Sequence, residues 1–238
     1  MIVFDRLLEI QGHDGVVDRL RHRRETLSER PSLAQAQARV AALDVELDAA
    51  RLQRDEAARR ERQLEEQIAL LTGRVKEVEG RLYSGSVSSP RELQALQADA
   101  DQLRRQRRDH EDRELEVMEA REDLDRRVAV LEERRQELEG EASRLGGVIA
   151  DAERTIDAEI AAASEERRML AEGLEATLLS LYEATRVANR GVGAARLEGG
   201  KCQGCHLALA ATEVDRIRQL PRDILARCEH CGTILVRG

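Results

Sequence analysis

Two long heptad repeats constrain this chain more than any other feature. From Leu33 to Leu82 apolar residues recur at alternating steps of three and four, and a second run of the same kind begins at Leu93. This spacing predicts helices that pair along a continuous seam, as in a coiled coil. Apolar positions continue through Leu181, so we expect the second helix to extend to about Arg186.

The segment between the two repeats runs from Tyr83 to Pro90 and is otherwise Ser, Gly and Val. Ser and Gly are poor helix formers, and Pro favours the first turn of a new helix. So short a connection favours antiparallel neighbours within one chain. We therefore predict a helical hairpin; a parallel dimer of separate coils is the alternative. A shorter N-terminal helix precedes a break near residues 29–32, at Pro31.

The seams also suggest how the two helices align. The preferred register places Arg135 opposite Ala36, because a small neighbour lets a long side chain reach water along its own stem. It also places Glu61 opposite His110. The alternative is a shift by one heptad, which would set Arg135 against Leu43.

Composition supports long paired helices and excludes several other classes. Charged residues make up 36% of the chain and aromatic residues 1%, too few rings for an ordinary core of this length. We see no signal-peptide pattern and no apolar run long enough for a membrane span, so we expect a cytoplasmic protein with no membrane contact. From Arg186 onward there are 9 Lys and Arg against 5 Asp and Glu, whereas the preceding part is strongly acidic.

The four cysteines predict a metal site. They form two Cys-x2-Cys pairs separated by 22 residues: Cys202, Cys205, Cys228 and Cys231. Two such turns supply four thiolates, which suits one structural Zn²⁺ ion with no open position; iron is the alternative metal. A redox role for the pairs is the less favoured interpretation. We interpret His206 and His230 as neighbours of the site rather than ligands.

These patterns together predict a mostly α fold. Residues 1–186 would form a long antiparallel coiled-coil hairpin, and residues 187–238 a small C-terminal four-cysteine zinc ribbon. Inside the ribbon we predict a helix from Thr212 to Gln219, opened by a capping box, and short strands at residues 224–226 and 234–236. Because so small a module lacks a large core, we expect it to need the metal, and the coil to stay helical without it.

Several motifs resemble a bacterial family of coiled-coil proteins that end in a C4-type zinc ribbon and are classed as a domain of unknown function. They are Leu7-Leu-Glu-Ile-Gln-x2-Asp14, Tyr83-Ser-Gly-x-Val-x2-Pro-Arg-Glu-Leu93, Leu181-Tyr182, Cys202-Gln-Gly-Cys205 and Cys228-Glu-His-Cys-Gly-Thr-Ile-Leu235. The resemblance implies a hairpin with a ribbon that binds nucleic acid or a transcription component. Some members are similar to regulators of flagellar genes that act through an alternative sigma factor or a messenger RNA.

The sequence leaves two functions open. Basic residues of the tail could neutralise RNA or DNA phosphates in a regulator of transcription. The candidates are Arg190, Arg196, Lys201, Arg216, Arg218, Arg222 and Arg227. The alternative is a protein-interaction scaffold that uses the acidic coiled coil and the edge of the ribbon without contacting nucleic acid, with RNA polymerase or a sigma factor as a possible partner. No catalytic motif is visible, so we expect neither an enzyme nor a small-molecule substrate.

Overall fold

The computed structural model describes residues 3–221 and 224–237. Within these ranges the chain forms five helices and four short strands. In chain order they are α1 (Val3–Glu25), α2 (Glu29–Tyr83), α3 (Pro90–Ala171), α4 (Ala176–Ala188), β1 (Ala194–Glu198), β2 (Lys201–Cys202), α5 (Ala211–Gln219), β3 (Ala226–Arg227) and β4 (Ile234–Arg237). The prediction of a mostly helical hairpin followed by a small strand region is therefore confirmed.

The chain divides into two units, and residues 31–144 form one of them. Most of α2 and the first two-thirds of α3 pair here as an antiparallel hairpin, joined by residues 84–89, where Gly85 has a positive φ of 73°. Leu47 and Ala50 of α2 pack against Val128 and Leu131 of α3, and all four are buried. Alternating large and small residues thus fill the coiled-coil seam.

The preferred register is wrong, and the contacts fit the alternative. Arg135 donates a hydrogen bond to Asp44, the neighbour of Leu43. Glu61 accepts a bond of 2.6 Å from Arg121, where the preferred register set it against His110. The assumption that a charged seam residue needs a small partner fails because these arginines do not stay in the seam. They bend out of it to carboxylates on the facing helix.

Residues 1–30 and 145–238 form the second unit. Here α1 lies against the end of α3, against α4 and against the strands, around buried Leu7, Ile10 and Tyr182. The prediction of a continuous helix to Arg186 is wrong, because α3 ends at Ala171. A turn that contains Gly173 separates it from α4, and Gly has the weakest helix propensity apart from Pro.

The strands form one sheet in the order β2-β1-β4-β3, with β1 and β4 parallel and the outer pairs antiparallel. One face, with Ala194 and Ile234, packs on the helical cluster of α1 and α4. The other face, with Ala195 and Leu235, packs on α5 and the cysteines. The sheet therefore lies between two small hydrophobic cores and contributes residues to both. Sequence reasoning expected strands only around β3 and β4.

Helix α5 lies where it was predicted, but its first turn is not stabilised in the way that was predicted. The residue before its first turn is Ala210, and no side chain caps it, so the predicted capping box at Thr212 is absent. Burial of Val214 and Ile217 against the cysteine cluster holds the helix instead. An amphipathic face is a stronger determinant than a cap in so short a helix.

None of the described helices has a stretch that is both long and apolar enough to cross a lipid bilayer.

The two packing units do not test the predicted boundary at residue 186, and that boundary stays a prediction. The second unit brings the N-terminal helix and the strands into contact, which the linear order of motifs did not indicate.

Candidate metal centre

The four cysteines converge at one point between the sheet and α5. Their Sγ atoms all lie within 4.8 Å of one another. Cys202 and Cys231 are 3.9 Å apart, and Cys205 and Cys228 are 3.8 Å apart. No two of them form a disulfide, and Cys202 and Cys228 are buried.

These distances fit a tetrahedral metal ion. A metal–sulfur bond of about 2.3 Å places the sulfurs at the corners of a tetrahedron whose edge is about 3.8 Å. Both measured separations agree with that edge, whereas a disulfide would need about 2.05 Å. Four cysteines that are held apart in this way could bind a metal ion, as predicted.

The two Cys-x2-Cys turns have the same backbone pattern. Cys202 N donates to Leu207 O, and His206 N donates to Cys202 O. In the second turn Cys228 N donates to Thr233 O, and Gly232 N donates to Cys228 O. The fifth residue of each turn is left-handed, with φ of 61° at His206 and 73° at Gly232. The structural counterpart of Gly232 is therefore His206 and not Gly204.

The thiols differ in acidity when they carry no metal. Burial raises the pKa of Cys202 to about 12, although the backbone N–H groups of Cys205 and Gly204 oppose the rise. Burial also raises the pKa of Cys228. At Cys231 burial acts in the same direction, but hydrogen bonds with Thr233, Cys228 and Cys205 together outweigh it and lower the pKa to about 7. A metal ion that binds here must displace protons from at least two buried thiols.

A buried threonine links the second cysteine turn to helix α4. Thr233 is 1% exposed. Its hydroxyl oxygen lies 3.1 Å from the Cys231 sulfur and accepts a bond of 3.2 Å from Asn189, the C-cap residue that follows α4. Arg227 adds a second link, since it donates to Gly232 O and to Thr185 Oγ1 in α4. Hydrogen bonds therefore link the cysteine cluster to α4 as well as to the strands.

The two neighbouring histidines, His206 and His230, lie outside this group of potential donors. Both are exposed, and the potential donor group found among the described residues contains the four cysteines alone. His230 Nε2 lies 3.3 Å from the carbonyl oxygen of Ala208, so it joins the second turn to the segment after the first.

A polar joint between α1, α4 and β1 was missed by sequence reasoning. Tyr182 is fully buried and donates a bond of 2.6 Å to Asp14. Gln11 accepts from the backbone N–H of Gly193 at 2.7 Å and donates to Gly191 O at 2.8 Å. These residues fall in or near motifs that carried the family resemblance, but their separation in the chain hid the contact.

Two arginines complete the joint. Asp14 accepts a bond of 2.9 Å from Arg167, and Arg186 bonds Asp18. Burial, the bond to Asp14 and its charge together raise the pKa of Tyr182 far above its ordinary value. Gly193 permits the close approach, because a Cβ there would lie 2.5 Å from the Tyr182 ring.

The predicted basic residues do not form one surface of free cations. Arg216 pairs with Glu213 at 2.5 Å, Arg218 lies 4.0 Å from Asp215, and Arg227 bonds the ribbon itself. In contrast, three others are exposed and have no carboxylate within 4.0 Å among the residues that the structure describes. They are Arg190, Arg196 and Lys201. Arg222 lies outside the described residues.

Comparison with known proteins identifies the architecture. Residues 10–190 match the family model described as the CT398-like coiled coil hairpin domain. The Mycobacterium tuberculosis protein Rv2229c is 30% identical over 231 residues, which cover 97% of this chain and 94% of that protein.

Two solved structures share the fold. One, from Mycobacterium smegmatis, is similar over the full length of both chains, with a TM-score of 0.86 and 24% identity. The other is CT398 from Chlamydia trachomatis, with a TM-score of 0.73 and 22% identity over 99% of this chain and 98% of that one. At these identities the likeness concerns the fold alone.

Proposed function

This chain belongs to the CT398-like coiled-coil hairpin family, and we propose that its cysteine cluster holds one structural Zn²⁺ ion in a non-enzymatic adaptor. The sulfur separations of 3.8 and 3.9 Å support a tetrahedral ion. Zinc with four thiolates is the usual occupant of such a site. Four protein ligands leave no position for water or substrate, which supports a structural role over a catalytic one.

Metal analysis tests this assignment. The full-length protein, purified without added metal, should contain about one zinc per chain by elemental mass spectrometry. Cys205→Ser should lose it. Iron in place of zinc, or no metal in the intact protein, would contradict the proposal.

We propose further that the ribbon binds nucleic acid through phosphate contacts. The observation that carries this is the position of Arg196 and Lys201, which we call the hairpin cations. They stand on the paired strands β1 and β2, are exposed, and have no carboxylate within 4.0 Å among the described residues. Guanidinium and ammonium groups that are not already paired can bind phosphate at lower cost.

This assignment differs from the one expected from sequence. Arg216 and Arg218 on α5 already face Glu213 and Asp215, so phosphate binding there would have to compete with those carboxylates. Neither hairpin cation has a carboxylate within 4.0 Å among the described residues, although Glu198 lies opposite Lys201 in the strand pair. Contacts of this kind would be salt-sensitive and would tolerate different sequences.

A matched pair of variants tests which cations act. Fluorescence anisotropy of labelled single-stranded RNA and duplex DNA would be measured at low salt with full-length, zinc-loaded protein. The double variant Arg196→Glu and Lys201→Glu should lose most binding, whereas Arg216→Glu and Arg218→Glu, an equal charge change, should lose less. Equal losses would refute the role of the hairpin cations.

The second candidate is a protein-interaction scaffold, with RNA polymerase or a sigma factor as a partner. Two exposed apolar side chains in the ribbon favour it, Leu207 and Ile224, which are 52% and 46% exposed. A zinc tetrathiolate also carries a net negative charge, which reduces the basic excess of the tail. Affinity purification with and without nuclease separates the two functions: a partner retained after nuclease treatment supports the scaffold.

A further inference from the structure

The coiled-coil unit contains a cleft whose arginines are not neutralised. The cleft lies between α2 and α3 and has a volume of about 520 Å³. It is lined by Glu56, Arg59, Arg60, Gln63, Leu64, Gln67, His110 and Arg113. We refer to it as the arginine cleft. Its volume falls in the range of about 300–1,000 Å³ that is typical of sites for small ligands.

The three arginines of this cleft are free of carboxylates. Arg59, Arg60 and Arg113 have none within 4.0 Å among the residues that the structure describes. The one polar contact of their guanidinium groups there joins Arg59 Nε to the backbone oxygen of Asp55, at 3.3 Å. Three positive charges therefore meet one carboxylate, that of Glu56, in an otherwise acidic coil.

In a second cleft of the same coil, the arginines are paired with carboxylates. It is lined by Asp44, Leu47, Arg51, Glu132 and Arg135. Arg51 pairs with Glu132 at 2.6 Å, and Arg135 pairs with Asp44. The same helices thus satisfy cationic side chains across the seam in one place and leave them unpaired in another. Other arginines of the coil are also unpaired, but the arginine cleft brings three of them together around one opening.

Two further lining side chains can also bond an anion. Gln63 and Gln67 each offer an amide with two N–H donors. His110 lines the cleft as well, but its Nδ1 is buried without a hydrogen-bond partner among the described atoms and is not counted as a donor. A set of three guanidinium groups and two amides has more donors than a single carboxylate can accept. A phosphate group has more acceptor oxygens and the charge that matches.

We propose that the arginine cleft is a binding site for a phosphate-bearing anion. The ligand is either a free polyphosphate or the backbone of a nucleic acid, which share the chemistry that the cleft recognises. The site lies on the coil and is separate from the hairpin cations. The coil is acidic overall, but its net charge hides this local excess of arginine.

Calorimetry with inorganic tripolyphosphate tests the site in the full-length protein. The triple variant Arg59→Ala, Arg60→Ala and Arg113→Ala should bind it roughly tenfold more weakly, since each exposed charge contact contributes modestly. The control replaces three other exposed, unpaired arginines of the coil, Arg91, Arg127 and Arg144. It makes the same change in net charge and should alter binding by less than about twofold.

One variant should act in the opposite direction. Glu56→Gln removes the single carboxylate of the cleft and should tighten tripolyphosphate binding several-fold. Circular dichroism should show unchanged helicity in all variants, because the replaced side chains are exposed. Equal affinity of the triple variant and the control would overturn the proposal. A poly-glutamate peptide that binds as tightly as tripolyphosphate would overturn the assignment to phosphate.

Labelled single-stranded RNA distinguishes the two sources of phosphate. If the triple variant loses affinity for RNA as well as for tripolyphosphate, the ligand is the nucleic-acid backbone. If RNA binding is unchanged while tripolyphosphate binding is lost, the ligand is a free polyphosphate. Because the variant with reversed hairpin cations keeps the arginine cleft, it should still bind tripolyphosphate whether or not the ribbon binds nucleic acid.

Discussion

The hydroxyl of Tyr182 lies 2.6 Å from Oδ2 of Asp14, although 168 residues separate them in the chain. Both side chains are buried, since Tyr182 is 0% and Asp14 6% exposed. A buried carboxylate needs several donors, and Arg167 supplies another at 2.9 Å. This contact joins the N-terminal helix to α4 and so closes the unit that carries the cysteines.

Removing the hydroxyl should destabilise that unit. Tyr182→Phe leaves Asp14 buried with one donor fewer, which should lower the free energy of unfolding by about 1–3 kcal/mol. Urea unfolding followed by circular dichroism measures the change. Tyr83→Phe is the control, because Tyr83 is 73% exposed and should alter stability little. Equal stability of Tyr182→Phe and the parent would show that the bond contributes nothing net.

Tyr182 should resist ionisation. Its pKa is raised by burial and by the bond to Asp14, so the folded protein keeps the neutral form where an ordinary tyrosine, with a pKa of about 10, would ionise. The stability that this form contributes is present below about pH 10 and is lost as pH rises through the folded-state pKa. In the Tyr83→Phe background, absorbance at alkaline pH should rise only together with loss of helicity. A rise well before unfolding would refute this.

Metal removal should affect more than the ribbon. From sequence we expected loss of zinc to disorder only the tail. The sheet, however, is shared by the cysteine cluster and by the cluster of Leu7, Ile10 and Tyr182. After chelation, or in Cys228→Ser, amide exchange should increase in α1 and α4 as well as in the ribbon. Exchange within residues 31–144 should not change, and unchanged exchange in α1 would restore the original expectation.

Substitutions at the fifth residue of the two cysteine turns should have opposite effects on the stability of the protein. Both have a left-handed fifth residue, His206 in one and Gly232 in the other. His206→Gly removes backbone strain and should raise stability by a few tenths to about 1 kcal/mol, whereas Gly232→Ala should lower it by about 1 kcal/mol. Thermal unfolding of the metal-bound protein measures both. If His206→Gly is destabilising, the His206 side chain contributes a contact that outweighs the strain.

The coil register can be measured by energetic coupling. Glu61 and Arg121 form an ion pair of 2.6 Å in which the Glu61 side chain is 9% exposed. A double-mutant cycle between them should show a coupling of about 0.5–1 kcal/mol. The exposed pair of Asp151 and Arg154, within one helix, provides the control with weaker coupling. No coupling between Glu61 and Arg121 would support the register that the structure excludes.

Local patterns in the sequence determined the hairpin, the short connection after Tyr83 and the cysteine set, because each depends on residues close in the chain or on a regular period. Heptad spacing defines a helix face, and Cys-x2-Cys defines a turn, whatever lies around them. The choice between Leu43 and Ala36 as the neighbour of Arg135 required the observed contacts with the facing helix. The heptad pattern alone does not decide it, because two registers that differ by one heptad pair the same kinds of seam position.

Only the tertiary structure decided which distant groups meet. Tyr182 and Asp14 form a buried pair because α4 folds back on α1, and nothing in either local sequence specifies that approach. The same holds for charge: Arg216 is neutralised by Glu213 and Arg135 by Asp44, while Arg59 and Arg113 are not. An arginine in a sequence is only a potential cationic site, because its free charge depends on the carboxylates that the fold places within reach.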